Sequence, residues 1–180
     1  ERFIKAIQEY QGRSRRLLLD VAQTTADSIV DWMRKNQHVK QINTLGSLRR
    51  QASTVGDIDI AVASDRPTEV IQHFIKYPQK SRVLEAGDRT ASLILPNEYQ
   101  VDLMVQPPAA YGALLQHFTG SKHHNIALRE YALKKGYSLS EYGIKVKDKL
   151  KQFPDEKSFY KFLALDWIPP ELREGENEIE

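Results

Sequence analysis

Three aspartates stand at positions where strand alternation would place their carboxylates on one face of a sheet. Asp57 and Asp59 alternate with isoleucines in the segment Asp57–Ala63, so both acids project to one side and the isoleucines to the other. Asp102 alternates in the same manner with its apolar neighbours and is expected on the polar face of a strand in the same sheet. Like charges this close are unfavourable unless a proton or a cation lies between them. The pattern predicts a site for two divalent ions about 3.5–4 Å apart, as used for in-line phosphoryl transfer, and oxygen ligands favour Mg²⁺.

A glycine and a serine about ten residues upstream would add groups that bind phosphate. Gly46-Ser47 separates the predicted strand Val39–Leu45 from a basic turn or short helix. Backbone N–H groups, the serine hydroxyl, and the guanidinium of Arg49 or Arg50 would form an anion site there. Because glycine has no Cβ, the chain can approach a phosphate closely.

A solvated polar surface is the alternative explanation for each of these motifs taken alone. An Asp-x-Asp pair on a strand is often an ordinary exposed face, and a Gly-Ser pair is a still weaker signal. The two motifs together, with a third aspartate in a later strand, favour a functional site over that alternative.

The elements that would position these residues divide the chain into two halves. The upstream half reads as mixed α/β, with one long amphipathic helix over Arg15–Lys35 and a helix beginning at Pro67. Three further strands are predicted in the same half: Ser81–Ala86, Thr90–Leu95 and Glu98–Val105.

The residues 106–108, Gln-Pro-Pro, form the best internal boundary, and the pattern beyond them is mostly helical. Helices are predicted over Ala109–His117, Lys122–Lys135 and Asp155–Leu165, with a short extended piece over Tyr137–Val146. The adjacent His123 and His124 point about 100° apart on a helix and are expected to be exposed rather than to share a metal ion.

Composition excludes several classes of protein. The 180 residues contain no cysteine, which excludes disulfides, a cysteine-based zinc site and a cysteine nucleophile. The apolar runs are too short for a membrane helix, which needs about 20 residues. The formal net charge is +2, and the four glutamates of the last seven residues leave +6 on the rest of the chain. A basic body is compatible with a polyanionic partner and equally with a solvated mixed surface.

These motifs resemble those of a known family. Gly46-Ser47 followed by Asp57-x-Asp59 and a later aspartate resembles the nucleotidyltransferase superfamily. The downstream half resembles the thumb of family X DNA polymerases, the relatives of DNA polymerase beta, and the bacterial members most closely. The residues that carry this second resemblance are His117-Phe118-Thr119-Gly120-Ser121, Asn125, Arg129 and Glu141-Tyr142-Gly143.

The resemblance implies an α+β fold: a nucleotidyltransferase palm with a mixed, mostly antiparallel sheet and helices, followed by a small, mostly helical thumb. It implies a palm over residues 14–106 and a thumb over 107–168. Residues 1–13, including Phe3–Tyr10, would be the remnant of a preceding helical region with a helix-hairpin-helix, and 169–180 a linker to a missing C-terminal domain.

The resemblance also assigns roles to individual residues. Asp57, Asp59 and Asp102 would be the catalytic residues and would bind two Mg²⁺ ions, with Mn²⁺ as a substitute. Arg129 and Glu141 would act on DNA, through the template strand and the thumb-closing network. The incoming nucleotide would be bound by Gly46, Ser47, Arg50, Gly56, Phe118, Gly120 and Asn125.

Two positions depart from the family pattern. Many members have tyrosine where this chain has His117, and the animal enzymes have arginine where it has Gln100. The first position bears on the rejection of ribonucleotides, and the second on the coupling of Glu141 to the metal site.

The expected function is template-directed DNA synthesis, with short gap filling in repair as the setting. The expected partners are gapped or primer–template DNA and a deoxynucleoside triphosphate, with a monomer in the bacterial cytoplasm and no membrane. Two alternatives stay open: a stand-alone nucleotidyltransferase acting on RNA, protein or a small molecule, and a catalytically weak DNA-binding fragment.

Overall fold

The computed structural model describes residues 16–179, and the helix and domain predictions made for residues 1–13 lie outside this range. Helices follow as α1 to α6 over Leu19–Met33, Gly46–Arg49, Pro67–Phe74, Tyr111–Thr119, Lys122–Lys134 and Glu156–Phe162. Short 3₁₀ turns cover Pro108–Ala110 and Pro170–Leu172. The strands β1 to β10 are Leu17–Leu18, Gln41–Thr44, Thr54–Val55, Ile58–Ala63, Arg82–Ala86, Thr90–Ile94, Gln100–Gln106, Tyr137–Ser140, Gly143–Val146 and Lys149–Lys151.

Five strands of the upstream half form one sheet in the order β2-β4-β7-β6-β5. The β4–β7 pair is parallel and the other three pairs are antiparallel. The sheet is therefore mixed and mostly antiparallel, as expected. In the parallel pair Ile60 lies opposite Leu103, so the apolar residues of both strands share one face.

The two long helices of this half pack on that apolar face. Helix α1 buries Ala22, Ala26, Ile29 and Met33, which recur at the helical period. Helix α3 begins at Pro67, whose fixed φ suits the first turn, and adds Phe74 to the same core. The sheet face that carries the aspartates is thus left for other elements to cover.

Helix α4 covers part of the opposite face. Tyr111 and Leu114 pack against Ala61 and Ala63, which follow Asp59 along the same side of β4. The buried Tyr111 hydroxyl donates to the side-chain oxygen of Asn43 at 2.9 Å. The packing stops short of Asp59, and this leaves its end of the face open.

The downstream half is mostly helical, with a three-stranded antiparallel sheet in the order β10-β9-β8. Strands β8 and β9 lie within the predicted extended piece Tyr137–Val146, whereas β10 was not predicted, because its residues Lys149–Lys151 are all exposed. Helix α6 ends at Phe162 rather than Leu165, since Ala164 has a left-handed backbone with φ 61°.

The last residues of the described chain pack onto this half. Arg173 is fully buried and Ile179 is 8% exposed within the downstream core. Across residues 16–179, the helices are too short or too polar to cross a membrane.

Candidate active site

Two of the three aspartates are direct neighbours in the sheet. Asp59 of β4 lies opposite Asp102 of β7 in the parallel pair, and adjacent strands are about 4.8 Å apart. Asp57 is exposed and lies one residue before β4 begins, close enough for its charge to act on Asp59. The fold thus makes Asp59 and Asp102 neighbours and brings Asp57 within electrostatic range of Asp59.

Electrostatics at Asp59 are strongly perturbed. Burial raises the pKa of Asp59, and the charges of Asp102 and Asp57 raise it further, to about 7. In the protein alone, the ionised carboxylate lacks sufficient compensating charge. A divalent cation would supply that compensation, so the charge and oxygen chemistry of the site fit Mg²⁺.

Within residues 16–179, no set of three or more acidic, histidine or cysteine side chains is close enough to hold a metal ion by itself. Mg²⁺ usually takes one or two carboxylates and completes its octahedron with water and substrate phosphate. The Asp59–Asp102 pair fits that mode of binding, in which the nucleotide supplies further oxygen ligands.

Asp102 is held by two polar side chains that sequence reasoning did not assign to the site. The Ser92 hydroxyl donates to Asp102 Oδ1 at 2.5 Å, and the Gln100 amide donates to both carboxylate oxygens at 3.0 Å. Ser92 lies directly opposite Asp102 in the β6–β7 pair. Only the strand register could have revealed Ser92, whereas Gln100 is two residues from Asp102 on the same side of β7.

The Gly46-Ser47 motif lies directly against these carboxylates. Gly46 has φ 57°, and a Cβ added there would lie 2.8 Å from Asp59 Oδ2. Any larger residue would therefore be strained and would collide with the carboxylate. Gly46 lets the backbone of α2 approach the acid cluster, which places Ser47 at the next position.

The structure distinguishes the two arginines that the sequence left open as phosphate ligands. Arg49 donates to Glu156 Oε2 at 2.6 Å and to the Thr119 hydroxyl at 2.5 Å, so it is engaged between the halves of the molecule. Arg50 donates through one terminal nitrogen to the Thr119 carbonyl at 2.6 Å, and its Nε lies 3.3 Å from exposed Glu174. Arg50 is the better candidate to exchange a partner for a phosphate.

The thumb motif meets the palm at this point. Gly120 has φ 70°, and a Cβ added there would lie 3.1 Å from the Arg50 guanidinium. A cavity of about 450 Å³ lies between the halves. Its lining includes Asp59, Asp102, Phe118 and Glu141.

Not every candidate residue faces this cavity. The Asn125 amide donates to the His117 carbonyl at 2.7 Å and its oxygen accepts from Gln116 at 2.9 Å, so it is engaged within the thumb. Arg129 is exposed and does not line the cavity, and the half-buried Gly56, just before Asp57, does not line it either. Burial lowers the pKa of His117, while the nearby charge of Glu141 raises it and that of Arg129 lowers it.

The prediction for His124 is wrong, since this residue is fully buried. It lies on the buried side of α5 with Leu128 and Ala132, at spacings of four residues. Its Nδ1–H donates to Glu178 at 2.7 Å, because a carboxylate only accepts, and its Nε2 accepts from the Tyr160 hydroxyl at 2.8 Å. His123 is exposed, as expected.

A buried ion network joins the two halves and was missed entirely. Glu156 accepts from Arg49 at 2.6 Å and from Arg173 at 2.7 Å, and it is almost fully buried. Burial opposes ionisation of Glu156, but the hydrogen bonds and charges of both arginines outweigh it and lower its pKa. No local pattern could reveal a pair separated by 107 positions.

A mixed sheet bearing aspartates, followed by a small, mostly helical domain that lines the same cavity, has the palm-and-thumb arrangement that the sequence predicted. Residues 114–174 match the family model described as the DNA polymerase beta thumb. Curated relatives give the same result. The chain is 35% identical to the Bacillus subtilis DNA polymerase/3'-5' exonuclease PolX, and the match covers 100% of the chain and 32% of that relative.

Two further relatives are more distant. The chain is 29% identical to Rattus norvegicus DNA polymerase lambda, over 72% of the chain and 28% of that protein. It is 28% identical to Repair DNA polymerase X of African swine fever virus, over 58% of the chain and 64% of that protein. The chain thus spans less than two thirds of the length of each relative. Over its whole length, the chain is therefore similar to the family X DNA polymerases.

Proposed function

We propose that this chain carries the nucleotidyl-transfer site of a template-directed DNA polymerase that fills short gaps during repair. The observation that carries the proposal is the contact between the Gly46 backbone and Asp59, with Asp102 opposite in the sheet. This close approach supports a role for Gly46-Ser47 in binding phosphate beside the acids that would hold a metal ion. The names of the relatives, which include a repair polymerase, support the same proposal.

Asp57, Asp59 and Asp102 would hold two Mg²⁺ ions. When bound, the ions would neutralise the triphosphate and lower the pKa of the attacking hydroxyl. The primer 3′ hydroxyl, which Asp102 would help to activate, would lose its proton to solvent, and its oxygen would bond to the α-phosphorus as the bond to the pyrophosphate oxygen breaks. Ser92 and Gln100 hold Asp102 in one orientation, and Asp102 lines the cavity that would receive the primer end.

The groups around Gly46 would position the triphosphate. Ser47 and Gly56 flank the acids in sequence, and Arg50 can move its Nε from Glu174 to a phosphate oxygen. A charge-assisted contact of this kind strengthens as negative charge develops in the transition state. Positioning and charge neutralisation provide most of the acceleration in such transfers.

The thumb residues would position the nucleotide and the template strand. Phe118 and Gly120 would lie along the sugar, and Asn125 would leave its bond to the His117 carbonyl to reach the base. Arg129 would contact the template strand. Glu141 and Gln100 line the same cavity. Gln100, which stands where the animal enzymes have arginine, could therefore couple the position of the thumb to Asp102.

Primer extension distinguishes this function from its two alternatives. A labelled primer on a one-nucleotide gap is incubated with deoxynucleotides and Mg²⁺, in parallel with the same primer lacking a template. Extension that follows the template base and is lost in Asp102→Asn supports the proposal. Template-independent transfer to RNA, protein or a small molecule would support a stand-alone nucleotidyltransferase. DNA binding without any transfer by the wild type would support a weakly active DNA-binding fragment.

A further inference from the structure

Half of the +6 formal charge of residues 1–173 lies on one hairpin of the thumb, residues 143–151, which we call the lysine hairpin. It comprises β9, a turn and β10, and carries Lys145, Lys147, Lys149 and Lys151 with one acid, Asp148. Its formal charge is +3, whereas the whole chain carries +2, so all residues outside the hairpin sum to −1. With this distribution of charge, the lysine hairpin is the part of the surface that would attract a polyanion most strongly.

Protection of an exposed sheet edge explains only part of this pattern. Strand β10 is the edge of the three-stranded sheet, and lysines on an edge prevent pairing with another chain. That reason fits Lys149 and Lys151. Lys145 lies on β9, the central strand, and Lys147 lies in the turn with φ 54°, so neither protects an edge.

Three of the four lysines are available for a partner. Lys145, Lys147 and Lys149 are exposed, and among the ion pairs formed by residues 16–179 none involves them. Lys151 differs, because its ammonium lies 4.3 Å from the Phe162 ring centroid. Lys145 of β9 lies opposite Ser138 of β8, and both side chains are exposed. An ammonium group and a hydroxyl group are therefore neighbours on the solvent side of the sheet. Both are groups that bind DNA phosphates.

The lysine hairpin leads away from the catalytic cavity. The β8–β9 turn, with Glu141 and Tyr142, lines the cavity, and β9 runs from there to the turn at Lys147. Five residues of extended chain span about 17 Å. The turn therefore lies within about 17 Å of the cavity rim, a span that corresponds to about five phosphates along one strand of B-DNA.

We propose that the lysine hairpin binds the phosphate backbone of the DNA substrate within about five nucleotides of the site of nucleotide addition. The contact adds affinity without sequence preference, since ammonium groups on phosphates carry no base information. It holds the DNA on the thumb while the acids of the palm act on the primer end. This inference rests on the proposed polymerase function.

The test compares two variants with the same loss of charge. Lys145, Lys147 and Lys149 are changed together to glutamine in the first. In the matched control, Arg34, Lys35 and Lys76 become glutamine; they lie at the ends of α1 and α3, on the sheet face opposite the aspartates. Fluorescence anisotropy with a labelled primer–template is measured over a salt series for both variants and the wild type.

The hairpin variant is expected to bind about tenfold more weakly at low salt, and its salt slope to be shallower by about 0.9 for each lysine that binds duplex DNA. KM for DNA should rise, while kcat and KM for the nucleotide stay unchanged. A variant in which the same three lysines are changed to arginine keeps the charge and should bind DNA as the wild type does. The control variant should bind as the wild type does.

Equal weakening in both variants, or no weakening in the hairpin variant, would overturn the proposal, because the effect would then be one of net charge or absent. A different result would contradict the proposed polymerase function. If DNA binding depends on the hairpin but the wild type transfers no nucleotide, the hairpin contact is supported and the proposed function is wrong.

Discussion

Replacing Asp59 by asparagine is expected to stabilise the metal-free protein while removing its activity. The substitution keeps the volume of the side chain and removes one charge from a cluster of three acids. Burial raises the pKa of Asp59, and the charges of Asp102 and Asp57 raise it further, from 3.8 to about 7. The native state therefore opposes ionisation of this carboxyl, whereas the unfolded chain does not.

The sign and size of the effect follow from proton linkage. Between about pH 4 and pH 7 the native state binds more protons at this site than the unfolded state, so the wild type loses stability as the pH rises. A shift of about three pH units corresponds to about 4 kcal/mol, fully present above pH 7 and absent below about pH 4. Even half of this would raise the Tm of Asp59→Asn by about 4–8 °C above pH 7.

Thermal unfolding followed by circular dichroism at about pH 4 and about pH 8, without metal, measures this difference. Asp65→Asn is the control, because Asp65 is an exposed palm acid paired only with Lys40 and its loss should cost at most about 1 kcal/mol. Mg²⁺ should raise the Tm of the wild type above pH 7 and leave that of Asp59→Asn nearly unchanged. A variant that is no more stable than the wild type at either pH would refute the assignment of Asp59 as an electrostatically strained acid.

Three further substitutions test other parts of the site. Asp102→Asn should abolish nucleotide addition with the fold intact, and extension within about tenfold of the wild type, or about 1.4 kcal/mol, would contradict the three-acid mechanism. Arg50→Ala should raise KM for the nucleotide and lower kcat, in contrast to exposed Arg66→Ala; unchanged kinetics would move the triphosphate elsewhere. Glu156→Gln should destabilise the protein by about 3–5 kcal/mol in urea unfolding above pH 5, because Arg173 is left buried without its charged partner; a loss below 1 kcal/mol would show that the network is dispensable.

Much of this protein can be read from short stretches of its sequence. The alternation Asp57–Ala63 predicted both the strand β4 and the common side of two acids, because the period of a strand depends only on its own backbone. The helical period of Ala22, Ile29 and Met33 likewise predicted α1, although the predicted helix also included Leu17–Leu18, which form β1. The His117–Ser121 motif identified the thumb, which the family match over residues 114–174 confirms.

The arrangement of the site depends on contacts that no short stretch contains. Asp59 meets Asp102 only because packing of the apolar face sets β4 and β7 in one register, and the same register brings Ser92 to Asp102. The local motif alone did not distinguish Arg49 from Arg50, and only the fold placed Glu156 beside Arg49. Residues separated by tens of positions come together through burial of the shared core, and that burial depends on the whole chain. Local sequence determined which chemical groups are present and on which side of their elements they stand, and tertiary structure decided which of them meet.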